Sequence, residues 1–501
     1  MKKNILAWVV GSKIWMGGVY YVKNMLFQLS LLEDSKKKYQ IFLCANQEIQ
    51  EEFYGLDKLL DMIFLVQDDN PEQLLHICDE YKIDIIFPVE YEPYISIVED
   101  RCVFWIPDFQ EQYFPQNFQE GELIYRYKTR KYIASHHASL VLSSNNAFKD
   151  YSSLFPEFIE NVFVAHFISY IETELQEISN NYLKSIMEKY CINYKYIYVS
   201  NQFWKHKNHK VVFEAINEII NNRKEEIHLV CTGFMESYHV QKDKYMETLL
   251  DYIKENRLGY NIHLLGLVER KEQLCIMKNA DLLIQPSLFE GWGCSLEDAK
   301  VMGKTVIVSD IEVHKEQKDD NCILFRKDDS KQLAEIILKQ RRKVKKYDLR
   351  KGREQTYRNA RKYAVELERA FQAITKNNGT KYVYKLEEMR KKKILELFGD
   401  LEAEEIGVYG TGRHTEIMLK TCKKILQNVR FFYFDSDSRK WGKEYHGAVI
   451  CDPAQIISKG IKRVVISSPA YQEEIYRGLR KYENEIEIVK IYDVETEVLW
   501  I

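Results

Sequence analysis

The sequence predicts an α/β protein built from two Rossmann-like domains that face a cleft, followed by a third, smaller Rossmann-like unit. Short continuous apolar runs alternate with amphipathic helical stretches almost throughout, the pattern of parallel sheets covered on both faces. The alternation stops at a charged helical stretch, 172–190, and then restarts. It stops again at KNNGTKY (376–382) and restarts once more at IGVYGTGRH (406–414). A chain of 501 residues is too long for one core, which agrees with this division.

The elements follow in order. ILAWVV (5–10), IFLC (41–44), MIFLV (62–66), IDIIFPV (83–89), CVFWIP (102–107), LVLSS (140–144) and NVFVA (161–165) are the strands of a first domain, 1–170. The opening apolar run is too short for a secretory leader and is read as a buried strand. YIYVS (196–200), IHLVCT (227–232), IHLLG (262–266), DLLIQPS (281–287) and TVIVSD (305–310) form the second domain, 171–375, which a long helix near 354–374 closes. Residues 376–398 are a linker and a basic helix. A domain of about a hundred residues, 399–501, follows, with strands in 406–410, 431–437, 463–468 and 486–493.

Bulk chemistry excludes several classes. Lys and Arg number 72 and Asp and Glu 75, for a net charge of −3, so nothing argues for nucleic acid. No apolar window reaches the length of a membrane span. Ten cysteines without a CxxC pair suit free thiols in a reducing cytoplasm better than a zinc site. The basic tracts 340–346 and 389–393 allow a peripheral contact with an anionic membrane face.

The chemistry concentrates in LLIQPSLFEGWGCSLEDAKVMGKTVIVSD (282–310). A strand ends at Ser287, a loop carries Glu290, Gly291, Trp292 and Gly293, and a helix starts near Cys294 or Ser295. Glycines let backbone N–H groups approach a ligand, and a helix N-terminus offers unpaired donors with partial positive charge. A diphosphate fits there. Glu290 can accept from sugar hydroxyls, and Asp298, about one turn inside the helix, can face the same cleft and take ribose hydroxyls. In YVSNQFWKHKNHKVVFEAI (198–216), Gln202, Lys205 and Lys207 lie on a loop after another strand, where open α/β sheets bind ligands. Gly17 and Gly18 precede a helix after the first strand, and Asp108 ends a strand in FWIPDFQEQYFPQNF (104–118).

These segments, in this order, resemble the retaining glycosyltransferases of family 4, which have the GT-B fold, and within them a subgroup with NQFW-x-HKNH and WIPDFQ segments. The resemblance covers roughly residues 1–375. It implies transfer of a sugar from a nucleotide-sugar donor to a glycan or lipid-linked acceptor with retention, a hexosyltransferase-type reaction of polysaccharide or glycoconjugate synthesis. It implies Glu290 on the donor sugar, Asp298 on the ribose, Lys207 on the diphosphate, Gly17 and Gly18 near the donor phosphates, and Asp108 on the acceptor side. No metal or other cofactor is implied. Three positions depart from the family: Asp298 shortens the second acid of E-x7-E, Gln202 stands where an Arg is usual, with Lys205 as the candidate replacement, and Glu111 stands where a His is usual. Two other readings stay open: another GT-B enzyme, such as a sugar-nucleotide epimerase or a phosphorylase, and a non-catalytic nucleotide-binding subunit.

In the third unit, Gly410 and Gly412 form a G-x-G turn, and Asp435 lies where a ribose-binding acid would. Nucleotide binding and a scaffold or oligomer contact are the two readings of this unit. The D-x-D at 435–437 is read as a strand end rather than a metal site.

Overall fold

A computed structural model describes residues 2–9, 16–67, 72–90, 95, 97–136, 138–235, 244–342, 349–374, 388–393, 395, 405–425, 429–468 and 471–491. The linker 376–382 and most of tract 340–346 lie outside the described residues, as does much of the basic helix 385–398.

The first sheet holds β1 (Lys3–Trp8), β2 (Tyr39–Ala45), β3 (Met62–Val66), β4 (Ile85–Val89), β5 (Cys102–Ile106), β6 (Ser139–Leu142) and β7 (Val162–Val164). Their spatial order is β3-β2-β1-β4-β5-β6-β7, all parallel. The second sheet holds β8 (Tyr196–Ser200), β9 (His228–Thr232), β10 (Ile262–Leu264), β11 (Leu282–Gln285), β12 (Val306–Ser309) and β13 (Cys322–Phe325). It runs β10-β9-β8-β11-β12-β13, again parallel. In each sheet the strand order reverses once, between β1 and β4 and between β8 and β11. Ligands of such sheets bind outside the carboxyl ends at that reversal.

The continuous apolar runs become strands because both faces of each sheet are covered. Along the second sheet, Val199, Leu229, Ile284 and Ile307 pack under Val212, Phe213, Leu333 and Ile337 of the helices on one face. Their neighbours Tyr198, Val230, Leu283 and Val308 pack with Leu274, Leu296 and Ala299 on the other. Alternate residues of one strand serve opposite layers, so the interior positions of the strands are apolar on both faces.

The stretch 172–190 is two helices, Glu172–Glu177 and Asn180–Lys189, and not one. Ser179 interrupts it by accepting the N–H of Tyr182 through its hydroxyl, which caps the second helix. The long closing helix spans Leu349–Gln372 and crosses back onto the first sheet. Ala360, Ala364, Leu367 and Phe371 recur on one buried face. Ser139 Oγ donates to the carbonyl of Ala370 at 2.8 Å, and the Phe371 and Phe87 rings lie 5.4 Å apart.

The third sheet holds β14 (Glu405–Tyr409), β15 (Arg430–Phe434), β16 (Glu444–Tyr445), β17 (Ala448–Cys451), β18 (Arg463–Ile466) and β19 (Glu487–Lys490), ordered β16-β17-β15-β14-β18-β19. Among the described strands of this sheet, only β16 and β17 pair antiparallel. One apolar cluster runs from Leu6, Leu74 and Phe104 of the first unit to Val408, Met418 and Tyr433 of the third. Arg390, between the two units in sequence, pairs with Glu72 of the first.

The closing helix ties the first sheet to the second unit through a seam of small and apolar residues. Leu367→Ala should therefore lower the unfolding free energy by about 3 kcal/mol, read from the urea midpoint. An unchanged midpoint would show that the crossing contributes little.

Candidate functional site

Lys207 and Glu290 meet at the point where the second sheet reverses. β8 ends at Ser200, and its loop returns through a 3-10 turn, Lys205–Lys207, before the helix His209–Asn217. β11 ends at Gln285, and its loop leads to the helix Cys294–Val301. The loops are cross-braced: Leu288 N–H donates to the His206 carbonyl at 2.7 Å, Asn208 Nδ2 to the Pro286 carbonyl at 3.2 Å, and Ser295 Oγ to the Ser200 carbonyl at 3.0 Å.

Lys207 Nζ lies 2.8 Å from each Glu290 oxygen, and Ser287 Oγ donates to Oε1 at 2.6 Å. The two side chains are 16% and 11% exposed. Burial opposes the charge on Glu290, but Lys207 and Ser287 outweigh it and hold the carboxyl below its ordinary value. Ser309 Oγ donates to the Ser287 carbonyl, and His314 Nδ1 sits 3.0 Å from Ser309 Oγ. Burial pushes the His314 pKa down, so this imidazole is a neutral brace.

The Glu290–Gly293 loop presses on the first unit. A Cβ at Gly291 would lie 2.6 Å from the Pro107 carbonyl and 2.9 Å from Asp108 Oδ2. Only glycine permits that approach. Trp292 Nε1 donates to the Phe167 carbonyl at 3.0 Å, and its ring lies 4.3 Å from that of His166. Cys294 and Ser295 open the helix. Burial raises the Cys294 thiol to about 12, so it stays protonated.

Across the cleft, Asp108 caps the N–H of Gln110 at 3.0 Å, and burial raises its pKa. Gln110 Nε2 lies 3.1 Å from the His206 ring. Glu111 is paired with Arg130, which also donates to the Asp108 carbonyl at 3.0 Å and lies over the Phe109 ring. The departure at position 111 thus serves the turn that carries Asp108.

Several expected placements are corrected. Asp298 is fully buried, and both its oxygens accept from Arg270 at 2.7 Å, so it presents no free carboxylate to a ribose. Arg270 also lies over the Tyr20 ring of the first unit, 4.7 Å from its centre. Gln202 is turned to its own unit, where Oε1 accepts the N–H of Phe234. Lys205 lines a cavity of about 560 Å³ with Lys210, Lys244 and Tyr245, whose lining includes neither Lys207 nor Glu290. Gly17 and Gly18 lie inside the first turn of the helix Met16–Ser30 rather than ahead of it, and the preceding residues 10–15 lie outside the described residues.

In the third unit, Gly410 has φ of 108°, and a Cβ there would lie 2.7 Å from the Ser467 carbonyl. Gly412 has open space beside it. Asp435 is occupied by its own loop: Oδ2 accepts from Thr411 N at 3.1 Å, from the Thr411 hydroxyl and from Lys440 Nζ at 2.8 Å, and Oδ1 accepts from Asp437 N at 2.9 Å. It braces the turn. Asp437 is held by Arg439 at 2.8 Å. Among the described residues no three His, Cys, Asp or Glu side chains gather as a metal site, and no helix is long and apolar enough to cross a membrane.

Sequence reasoning missed Arg270. It opens the helix Arg270–Asn279, 28 residues before Asp298 in the chain, with no motif around it. It also gave no role to the Ser287 hydroxyl or to Glu316 of the helix Glu312–Gln317, which reaches across to the first unit.

Residues 185–363 match the family described as Glycosyl transferases group 1. Among solved structures, a glycosyltransferase from Rickettsia africae ESF-5 is 15% identical, with 74% of this chain and 96% of that one covered and a TM-score of 0.51. Sucrose-phosphate synthase from Thermosynechococcus elongatus is 12% identical, with 80% and 100% covered and a TM-score of 0.48. No curated protein matches the chain. The first of these structures shares the arrangement of two Rossmann-like units, the GT-B fold.

The depressed pKa of Glu290 makes a prediction about stability. A carboxyl held below its unfolded value stabilises the fold above that value, about 4.5, and loses the contribution as pH falls through the folded one. Glu290→Gln should be less stable than wild type near pH 7, by about 3 kcal/mol, because Lys207 is left buried and unpaired. The gap should narrow below about pH 4.5. Urea midpoints of both proteins across pH check this, and a gap that does not change with pH would refute the ion pair.

Proposed function

We propose, from the group 1 glycosyltransferase domain formed by residues 185–363, that the chain transfers a sugar from a nucleotide-sugar donor to a glycan or lipid-linked acceptor with retention at the anomeric carbon. The observation that carries the reading is the Lys207–Glu290 pair at the carboxyl edge of the second sheet, on loops cross-braced to each other beside the N-terminus of the helix Cys294–Val301.

The chemistry follows from the charges. A nucleoside diphosphate leaves with growing negative charge, and donors fixed in advance stabilise that charge most where water is excluded. An ammonium has three donors. Glu290 takes two of the Lys207 hydrogens, which leaves one for a phosphate oxygen and fixes its direction. The first turn of the helix Cys294–Val301 adds backbone donors and the positive end of the helix dipole. Glu290, held by Lys207 and Ser287, has lone pairs left to orient a sugar hydroxyl. Asp108 faces it from the acceptor side, against Gly291.

The test is a screen of nucleotide sugars for hydrolysis or transfer. Glu290→Gln and Lys207→Ala should each lower turnover by about 10²–10³-fold, with the far-ultraviolet circular dichroism unchanged. Full activity in both variants would remove the site assignment. The anomeric proton coupling of the product reads the stereochemistry directly, and an inverted product would reject retention.

A further inference from the structure

We infer that Gln317 is a positioning residue for the diphosphate end of the donor site. The inference rests on the reading just given. Gly293 is the residue that caps the helix Cys294–Val301, and it has no side chain with which to do so. Gln317, the last residue of the helix Glu312–Gln317, holds that capping residue from outside. Its Oε1 accepts the Gly293 N–H at 3.2 Å, and its Nε2 donates to the Gly293 carbonyl at 2.9 Å. One carboxamide therefore holds both backbone polar groups of one residue.

Glycine is the residue with the most backbone freedom, so the entry to this helix is where slack would otherwise arise. The Gly293 carbonyl also accepts the N–H groups of Leu296 and Glu297, both at 3.1 Å. It is the first rung of the helix ladder. Its direction sets the axis of the first turn, and with it the direction of the Cys294 and Ser295 N–H groups. Those N–H groups have no acceptor within the helix and are the donors a bound phosphate would use. The Gly293 N–H, which the glycine loop itself suggests as a donor, is taken by Gln317.

The surroundings explain why a glutamine stands there. Nε2 also donates to Glu297 Oε1 at 2.8 Å, and Lys300 Nζ donates to the same oxygen at 2.8 Å and to the Gln317 carbonyl at 3.0 Å. Gln317, Glu297 and Lys300 are all buried, so water does not compete. A carboxylate at 317 would still accept from Gly293 but would donate to nothing and would face Glu297 as a like charge. An apolar side chain would leave both Gly293 groups without this partner.

The experiment compares the wild-type chain with Gln317→Met and Gln317→Glu by calorimetry. The probes are UDP, GDP and ADP, with uridine, guanosine and adenosine as the matching ligands that lack phosphate. For the base that the wild type prefers, both variants should bind the diphosphate about tenfold more weakly and the nucleoside as the wild type does. Unchanged diphosphate affinity would overturn the inference. Equal weakening of diphosphate and nucleoside would also overturn it, because a general loosening of the domain acts on both. If Gln317→Met does not fold, Gln317→Asn, which adds no charge and is one methylene too short to hold both Gly293 groups, decides by the same comparison. A wild-type chain that binds none of the three diphosphates would instead remove the donor-site reading.

Discussion

The Lys207–Glu290 ion pair is the constraint around which the rest of the site is arranged. Two charges have been taken largely out of water at the reversal of the second sheet, and that is costly unless each oxygen and proton finds a partner. Both carboxylate oxygens lie at 2.8 Å from the ammonium, and Ser287 adds a third bond. The supports continue inward through Ser309 and His314. A lysine on one strand's loop and a glutamate on the next strand's loop thus lock the two loops together. Either charge alone would be left buried and unpaired, so the pair sets the loop geometry as well as the electrostatics.

That geometry reaches the first unit. Gly291 touches Pro107 and Asp108, and Trp292 bonds to Phe167. Glu316, next to the residue that clamps Gly293, accepts from Asn145 N at 2.8 Å and Asn146 N at 3.3 Å, at the start of the helix Asn145–Leu154. It also pairs with His166, whose ring lies against Trp292. A carboxylate from the second unit therefore satisfies the helix N-terminus of the first. The loop from Glu290 to Gly293 is a wall shared by both units, so the approach of the units and the shape of the donor side are one structural problem.

The architecture was legible in the sequence because burial on both faces leaves a simple trace. β8 at Tyr196–Ser200 coincides with the apolar run YIYVS, and β11 and β12 fall inside theirs. The elements that escaped are short or partly exposed. β13 (Cys322–Phe325) carries one fully buried residue of four, and β16 (Glu444–Tyr445) is a two-residue strand with none. Neither produces a run. The loops that carry Lys207 and Glu290 were legible for a different reason: each sets a charge between a strand and a helix, and their segments, in order, resemble a known family. What neither pattern contains is the partner of each charge. Arg270 finds Asp298 across 28 residues of sequence, and Gln317 finds Gly293 across 24.

The two acids expected at a ribose, Asp298 by resemblance and Asp435 by its distance from the G-x-G turn, are held by cations of their own unit, Arg270 and Lys440. The reason is physical. An aspartate reaches one methylene, about 1.5 Å, less far from the backbone than a glutamate. At position 298 that keeps the carboxylate within the layer between its helix and the helix Arg270–Asn279, where the dielectric is low and an unpaired charge is costly. A guanidinium with two parallel bonds satisfies it there. The outer face of that guanidinium then lies on Tyr20, so what the helix presents toward the first unit is an arginine on an aromatic ring. The shortened acid is thereby paired within its own unit, and the guanidinium that lies on Tyr20 has its charge balanced by the carboxylate behind it.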